Sequence, residues 1–198
     1  MYGFNEPKDF LKKICFEGGQ MKIFIMVGMP AAGKNIARLY AGSRDMVYYS
    51  TGDIVRAEVK MRGLEVDPVT TSEVSDDLRG DDGLGVTRLA LEEILKSGAD
   101  VGFLEGMRSW QEIELIREKA DGVVVAVLTP RSLRLERVCS RGRDDDSPLD
   151  FNERDQREIA YGTAVPIVLA DAYILNTGTM DDSMEQLNAI VTKEMENV

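Results

Sequence analysis

The segment that most constrains the fold is an apolar run that leads directly into a glycine-containing loop. Lys22–Val27 reads KIFIMV, a run that predicts a strand buried on both faces of a sheet. The chain continues as Gly28-Met29-Pro30-Ala31-Ala32-Gly33-Lys34-Asn35, with the spacing G-x-x-x-x-G-K. In this pattern the glycines let successive backbone N–H groups turn inward, and the lysine reaches the outer phosphates of a nucleotide. We therefore predict that Gly28–Asn35 binds ATP and that Lys34 takes part in catalysis.

The residue after this lysine departs from the usual pattern. A Ser or Thr is expected there, because its hydroxyl binds the Mg²⁺ that accompanies ATP. Asn35 takes its place, and its amide oxygen could coordinate the ion with a longer reach and a different geometry. Two interpretations stay open. Either metal affinity or turnover is reduced, or phosphates and water hold Mg²⁺ and the change matters little.

The composition excludes several classes of function. The chain has no His, which removes His-based acid–base catalysis, Ser–His triads and His-ligated zinc. Its two cysteines, Cys15 and Cys139, cannot make a cysteine-based zinc site and are typical of a reduced cytoplasm. A net charge of −11 argues against binding to nucleic acid or an anionic membrane. No apolar run is long enough for a membrane span, so we expect a cytoplasmic protein with small-molecule partners.

Strands and helices alternate along the chain after residue 20. Strands are predicted at Lys22–Val27, Val47–Tyr49, Val101–Leu104, Gly122–Leu128 and Ala172–Leu175. Helices are predicted at Gly33–Ala41, Asp53–Arg62, Val69–Leu78, Gly83–Ser97, Trp110–Lys119, Ser132–Ser140, Leu149–Ala160 and Met180–Met195. This alternation predicts an α/β fold of three layers (α/β/α) with a five-stranded parallel sheet. We expect an N-terminal extension at 1–20 and one domain at 21–198, with a small helical lobe at 57–100.

The end of the second predicted strand carries the segment Ser50-Thr51-Gly52-Asp53-Ile54-Val55-Arg56. Asp53 is a good helix cap, and Gly52 permits a close approach. The pattern Ser-Thr-Gly-Asp-x-x-Arg resembles the acceptor-binding motif of adenylate kinase and other nucleoside monophosphate kinases. The resemblance implies that Thr51 lies beside the acceptor base and Arg56 binds the acceptor phosphate, and Asp53 is a candidate to position acceptor or metal. The alternative is a helix cap with a solvated arginine.

The third predicted strand ends in Leu104-Glu105-Gly106-Met107-Arg108. A carboxylate at the carboxyl end of a strand beside a phosphate loop can hold Mg²⁺ or its water shell, so Glu105 is a candidate metal ligand. In monophosphate kinases a similar Asp-Gly-x-x-Arg or Asp-Gly-x-Arg segment stands here, and the resemblance implies that Arg108 binds the acceptor phosphate. Glu105 is one methylene longer than the usual Asp. A surface turn is the alternative.

An arginine-rich stretch follows the fourth predicted strand. Residues 120–192 contain seven Arg and no Lys, and arginine suits phosphate because its planar fork binds two oxygens. The pattern Arg-x-x-x-Arg-x-Arg-Asp-Asp resembles the short lid of this kinase group, which closes over the transferring phosphoryl group. The resemblance implies a lid at 137–158. Its candidate catalytic residues are Arg137, Arg141 and Arg143, with Arg154 and Arg157 as further candidates. An Arg/Asp salt-bridge network on an exposed helix pair is the alternative.

The segment Asn176-Thr177-Gly178 follows the last predicted strand. In dephospho-CoA kinase-like proteins a similar Ala-Asp-Tyr…Asn-x-Gly segment passes the donor adenine. The resemblance implies that backbone groups around Asn176 and Gly178 bind the base edge of ATP. An ordinary turn after a strand fits the same residues.

From Met21 to about residue 196 the chain is similar to a family of small archaeal-type predicted nucleotide kinases, UPF0200-like, that are related to adenylate kinase and dephospho-CoA kinase. The usual family loop reads Gly-Met-Pro-Gly-Ser-Gly-Lys-Ser, from which Ala31, Ala32 and Asn35 depart. The resemblance implies a P-loop NTPase fold and transfer of the γ-phosphoryl group of Mg²⁺·ATP to a phosphate-bearing, nucleotide-type acceptor. Two alternatives stay open: a nucleotide-binding switch or assembly factor with weak ATPase activity, and a dephospho-CoA kinase-like enzyme.

Overall fold

Five strands form one sheet in a computed structural model, which describes residues 20–141 and 147–196. They are β1 (Lys22–Val27), β2 (Val47–Ser50), β3 (Val101–Glu105), β4 (Asp121–Leu128) and β5 (Ala172–Leu175). The order across the sheet is β2-β3-β1-β4-β5, and every neighbouring pair is parallel. All six residues of β1 are buried, as its apolar sequence predicts for a central strand. Lys22 tolerates this burial because its Nζ lies 2.6 Å from Asp121 Oδ2.

Helices cover both faces of the sheet, which confirms the predicted three-layer α/β/α fold. The helices within the described residues are α1 (Ile36–Gly42), α2 (Thr51–Met61), α3 (Pro68–Arg79), α4 (Gly85–Lys96), α5 (Trp110–Arg117), α6 (Arg131–Arg141), α7 (Pro148–Ala160), α8 (Ala164–Val168) and α9 (Met180–Glu196). Alternate strand residues point to opposite faces. Phe24 and Phe103 therefore pack with α1 and α9 on one face, whereas Ile25 and Leu104 pack with α4 and α5 on the other.

Three consecutive helices, α2, α3 and α4, stand between β2 and β3. Val55, Val59, Val74 and Val86 form a small buried cluster among them, separate from the two clusters on the sheet. Helix α4 also packs against β2, β3 and α5. It therefore belongs both to the helical group and to the main core, and the lobe at 57–100 stays a prediction.

The predicted helices differ from the observed ones by up to three residues at their ends, and three differences have a structural reason. Helix α1 begins at Ile36 and not at Gly33, because the loop residues before it form turns. The prediction that Asp53 caps α2 was wrong: Ser50 is the N-cap, and its Oγ accepts a hydrogen bond from the Asp53 N–H. Helix α8 was not predicted, because five residues around Pro166 carry no helical pattern and its N-cap, Thr163, makes no side-chain capping bond.

Some sequence predictions fall on residues that the structure does not describe. Apart from Gln20, the predicted extension at 1–20 lies outside the described ranges, as does Arg143. Arg141 is the last residue of α6, and only its backbone is described. In residues 20–141 and 147–196, none of the helices has the length and apolar character needed to cross a bilayer.

Candidate active site

The loop Gly28–Asn35 joins β1 to α1 through an unusual backbone path. Gly28, Ala31 and Gly33 have φ values of +150°, +60° and +95°. A Cβ on Gly28 would lie 2.7 Å from Val127 O, and one on Gly33 would lie 2.0 Å from Asn176 Nδ2. Only glycine fits these two positions, because the neighbouring strand β4 and the residue after β5 press directly against the loop.

Side chains from other elements hold the loop carbonyl groups. Thr129 Oγ1 and Asn176 Nδ2 donate to Ala32 O at 2.9 and 2.8 Å, and Arg134 donates to Pro30 O at 3.0 Å. Within the described part of the chain, the N–H groups of 33–35 donate to no backbone oxygen. Three successive free N–H groups at the start of a helix form a binding place for an anion such as phosphate.

Lys34 lies folded back against its own loop. Its Nζ donates to Gly28 O at 2.8 Å and to Met29 O at 3.3 Å. Burial lowers the pKa of Lys34, whereas the nearby carboxylates of Glu105 and Glu158 oppose that shift. The amine thus lies where the N–H groups of the loop, the end of β3 and helix α7 come together.

Glu105 ends β3 beside the loop and is held by a tyrosine on β2. The Tyr48 hydroxyl donates to Glu105 Oε2 at 2.5 Å, and Arg38 stacks over the Tyr48 ring at 4.7 Å. Burial, and then the Glu105 charge, raise the pKa of Tyr48, so its hydroxyl stays a donor. Oε1 of Glu105 accepts no hydrogen bond from residues in the described ranges and is open to a metal ion or its water.

The donor set near the loop is small. Across the described residues there is no group of three or more Asp, Glu or Cys side chains able to hold a metal. Asn35 is exposed and makes no side-chain capping bond to α1. One carboxylate and one amide fit Mg²⁺ that is held chiefly by substrate phosphates, because Mg²⁺ keeps several waters and needs one or two protein ligands.

The start of α2 contacts the end of β3. A Cβ on Gly106 would lie 2.0 Å from Thr51 Oγ1, so the two segments touch. Asp53 accepts hydrogen bonds from Ser50 Oγ at 2.9 Å, from Arg56 at 2.6 Å and from Arg38. Burial alone would raise the pKa of Asp53, but these hydrogen bonds lower it. Asp53 therefore fixes Arg56 in place.

A cavity of about 300 Å³ lies between the loop, α2, α3 and α7. It is lined by Pro30 of the loop and by three predicted acceptor residues, Thr51, Arg56 and Arg108. Asp53 does not line the cavity, but it accepts a hydrogen bond from Arg56, which does. Five arginines and two carboxylates line it in all: Arg56, Arg79, Arg108, Arg154, Arg157, Asp76 and Glu158. The excess of positive charge suits an anionic ligand.

Sequence reasoning missed Arg79 and Tyr161 in this cavity. Arg79 is a single basic residue in the last turn of α3, where it reads as a complement to the helix dipole. Tyr161 follows α7 and belongs to no motif. No signal in the sequence could have joined residues from two helices so far apart in the chain.

The arginines of 131–157 whose side chains the structure describes occupy two different places, and Arg137, Arg154 and Arg157 are those predicted for the lid. Arg134 is buried and bonds both oxygens of Asp155 at 2.7 Å, and Arg137 donates to Asn176 O and Oδ1 at 3.1 Å. Arg134 thus contacts the loop itself, at Pro30 O, and Arg137 contacts Asn176, which packs against the loop. Arg154 and Arg157, on α7, line the cavity instead. Arg154 and Arg157 thus occupy positions that an anionic ligand in the cavity could reach. Arg134 instead forms an Arg/Asp pair, which is what the alternative predicts.

The segment after β5 closes the other side of the loop. The backbone N–H of Asn176 donates to Leu128 O at 2.8 Å, and its C=O accepts from Arg137 at 3.1 Å. Both backbone groups of Asn176 are therefore engaged by protein. A Cβ on Gly178 would lie 2.4 Å from Asp182 Oδ2, so this glycine permits the close turn into α9.

Solved structures share this fold. The chain superposes on a shikimate kinase from Acinetobacter baumannii in complex with shikimate with a TM-score of 0.61, at 16% identity, over 96% of this chain and 98% of that one. A gluconokinase from Sinorhizobium meliloti gives a TM-score of 0.61 at 12% identity, over 90% and 96%. The parallel sheet with its phosphate-type loop is thus the P-loop kinase fold.

Curated relatives identify the family. No family model matches the chain. A UPF0200 protein of Methanocaldococcus jannaschii is 34% identical over 184 residues, covering 90% of this chain and 93% of that protein. Another from Thermococcus kodakarensis is 35% identical over 177 residues, covering 85% and 96%. The chain belongs to the UPF0200 family, as its motifs predicted.

Proposed function

We propose that the chain is an ATP-dependent phosphotransferase that acts on a phosphate-bearing, nucleotide-type small molecule. The observation that carries this proposal is the arginine-lined cavity, whose wall includes Pro30 of the phosphate-type loop. A donor site and an acceptor site therefore adjoin. The fold shared with shikimate kinase and gluconokinase supports small-molecule phosphorylation, although the relatives' names specify no substrate.

On the donor side, the phosphates of ATP lie over the free N–H groups of 33–35. Lys34 leaves the carbonyls of Gly28 and Met29 and binds the outer phosphates, because a phosphate oxygen is a stronger partner for an ammonium than a neutral carbonyl. Asn176 and Thr129 keep the loop shaped through Ala32 O. Arg137 lies on the same side, next to Asn176.

Glu105 and Asn35 are the residues that would hold Mg²⁺. When bound, the ion neutralises charge on the β- and γ-phosphates. Tyr48 orients Glu105 by its hydrogen bond to Oε2, which leaves Oε1 toward the site. The protein supplies position and positive charge and little covalent chemistry, as is typical of phosphoryl transfer.

On the acceptor side, Arg56 and Arg108 bind the acceptor phosphate. Asp53 holds Arg56, and Glu158 accepts from Arg108 Nε at 3.0 Å, so both forks are positioned before the acceptor arrives. Thr51 lies at the inner wall, beside Gly106. Preorganised arginines of this kind lower the barrier by stabilising charge in the transition state.

A second function is favoured by one observation. Lys34 occupies the loop carbonyls, and Asn35 replaces the usual hydroxyl, which fits a nucleotide-binding switch with weak turnover. Such a protein binds ATP or ADP tightly and forms no additional ADP when an acceptor is supplied. A dephospho-CoA kinase-like enzyme would instead use the same arginines for a longer acceptor.

An acceptor panel tests these functions. We would supply Mg²⁺·ATP with nucleoside monophosphates, dephospho-CoA, shikimate or gluconate, and measure ADP. We expect acceptor-dependent ADP with one class of acceptor, and a loss of about 100-fold or more in Lys34→Ala. Lys60→Ala, an exposed lysine at the end of α2, is the matched control. Tight ATP binding with no acceptor-dependent ADP across the panel would favour the switch.

A further inference from the structure

The arginines of the cavity differ in how their charge is balanced. Arg56 lies 2.6 Å from Asp53, and Arg108 lies 3.0 Å from Glu158. Each of these two arginines already has a carboxylate partner. The charges of these two arginines are therefore nearly balanced without a ligand.

Arg79 has no such partner. Its Nε is buried and has no hydrogen-bond acceptor, and no carboxylate of the described chain pairs with its guanidinium. Its guanidinium instead contacts the Tyr161 ring, whose centroid lies 5.3 Å from Arg79 Cζ. A buried donor without an acceptor destabilises the free protein, so a ligand that accepts a hydrogen bond from it is favoured.

Arg157 adds a second positive charge without a carboxylate partner to the lining of the cavity. It precedes Tyr161 by four residues at the end of α7, so the two side chains lie on one side of the helix end. Arg157 is exposed and makes no ion pair with any residue in 20–141 or 147–196. Ser75, one turn before Arg79 on α3, also lines the cavity. Asp76 is the carboxylate of this wall; it is exposed and unpaired with either arginine.

Tyr161 contacts one arginine that has a carboxylate partner and one that has none. Arg108 contacts its ring at 5.2 Å and Arg79 at 5.3 Å, so the ring lies within reach of both. The cavity thus contains two places for anions. One consists of Arg56 and Arg108, which have carboxylate partners; the other consists of Arg79 on α3 and Arg157 on α7, which have none among the described residues.

From these contacts we infer that the acceptor carries two separate anionic groups, and that Arg79 and Arg157 bind the one remote from the reacting centre. This inference rests on the proposed phosphotransferase function and narrows its substrate to a small molecule with two separate anionic groups, such as a bisphosphate. A nucleoside monophosphate would leave Arg79 without its acceptor.

A binding experiment tests this inference without requiring turnover. The full chain is saturated with a non-hydrolysable ATP analogue and Mg²⁺, so that the loop is filled. Calorimetry then compares two matched pairs: adenosine 5′-monophosphate with adenosine 3′,5′-bisphosphate, and ribose 5-phosphate with ribose 1,5-bisphosphate. We expect at least one bisphosphate to bind about tenfold more tightly than its monophosphate, because each charged hydrogen bond contributes about 1.5 kcal/mol or more.

Variants locate the effect. We expect Arg79→Gln and Arg157→Gln each to remove that tenfold preference while changing monophosphate affinity less than twofold. Arg88→Gln, on the outer side of α4 where it pairs with Asp82, is the control, and thermal unfolding verifies that each variant folds. Equal affinity for both members of each pair, no binding by any of the four probes, or equal weakening of mono- and bisphosphate in Arg79→Gln would overturn the inference.

The two proposals fail in different ways. If bisphosphates bind through Arg79 but no acceptor yields ADP, the phosphotransferase proposal fails and the second anion site stands. If ADP forms as fast from an acceptor with one anionic group and Arg79→Gln leaves that rate unchanged, the second anion site fails and the phosphotransferase stands.

Discussion

The carboxylate of Asp155 accepts two hydrogen bonds of 2.7 Å from the guanidinium of Arg134, and both side chains are buried. The same guanidinium donates to Pro30 O at 3.0 Å. One ion pair therefore connects α6, α7 and the phosphate-type loop. Since Arg154 and Arg157 flank Asp155 on α7, the pair also fixes one wall of the cavity relative to the loop.

Removing the charge of Asp155 is expected to destabilise the protein. Asp155→Asn leaves the Arg134 charge buried without its partner, which costs about 3 kcal/mol in the free energy of unfolding. Urea denaturation measures this loss. Glu153→Gln, an exposed position on the same helix, is the control and should change stability by about 0.5 kcal/mol or less. Equal midpoints for both variants would show that the pair contributes nothing.

Ala31→Gly is expected to raise stability. Ala31 has φ +60°, a left-handed conformation that costs a residue with a Cβ about 1 kcal/mol. Part of this gain is offset because glycine loses more chain entropy on folding, so we expect a net rise of about 0.5 kcal/mol. Ala32→Gly is the matched comparison, because Ala32 is buried without positive φ; there we expect a loss of about 1 kcal/mol. A drop in both variants contradicts the argument.

Tyr48→Phe is expected to weaken the response to Mg²⁺. The change removes the hydroxyl that holds Glu105 Oε2 and keeps the ring under Arg38. Loss of a group that orients a metal ligand lowers metal affinity about 10-fold or more. The measurement is the Mg²⁺ concentration for half-maximal ADP formation. Tyr49→Phe is the control, because the Tyr49 hydroxyl makes no hydrogen bond to a described residue, and it should leave this Mg²⁺ concentration unchanged. A shift of the same size in Tyr49→Phe would contradict a role of Glu105 in metal binding.

The contribution of Asp53 to stability is expected to depend on pH. Its pKa in the folded protein lies below the ordinary value of 3.8, chiefly through hydrogen bonds from Arg56, Ser50 and Arg38 that outweigh burial. A carboxyl with a lowered pKa stabilises the fold above the unfolded value and loses that contribution as pH falls through the folded one. We therefore expect the stability difference between the native chain and Asp53→Asn to be largest near neutral pH and to shrink below about pH 4.

Denaturation of both proteins between pH 7 and 3 measures that difference. Asp100→Asn, an exposed carboxyl, is the control. A difference that stays constant down to pH 3 would show that Asp53 is not stabilised by its charged partners.

Local patterns predicted those parts of the fold that depend on neighbours in the chain. The apolar run of β1 is typical of a strand covered on both sides, and the loop follows it directly, so a position of the loop at the carboxyl end of a central strand was implied. The cap of α2 was mistaken because Ser50 and Asp53 both favour helix starts and their competition depends on exact backbone geometry. Helix α8 was missed because its sequence carries no helical pattern. Packing against β4 and α5 stabilises it instead.

The sequence by itself determined the parallel α/β architecture and the phosphate-type loop, and it singled out Arg56 and Arg108 as candidate acceptor-binding residues. Each of these follows from patterns among residues that are close together in the chain. Only the tertiary structure brought Arg79 to Tyr161, Asn176 to the carbonyl of Ala32, and Arg134 to both Asp155 and Pro30. These partners lie 21 to 144 residues apart along the chain. Which side chains meet over such separations depends on how whole helices pack, and no local pattern encodes that.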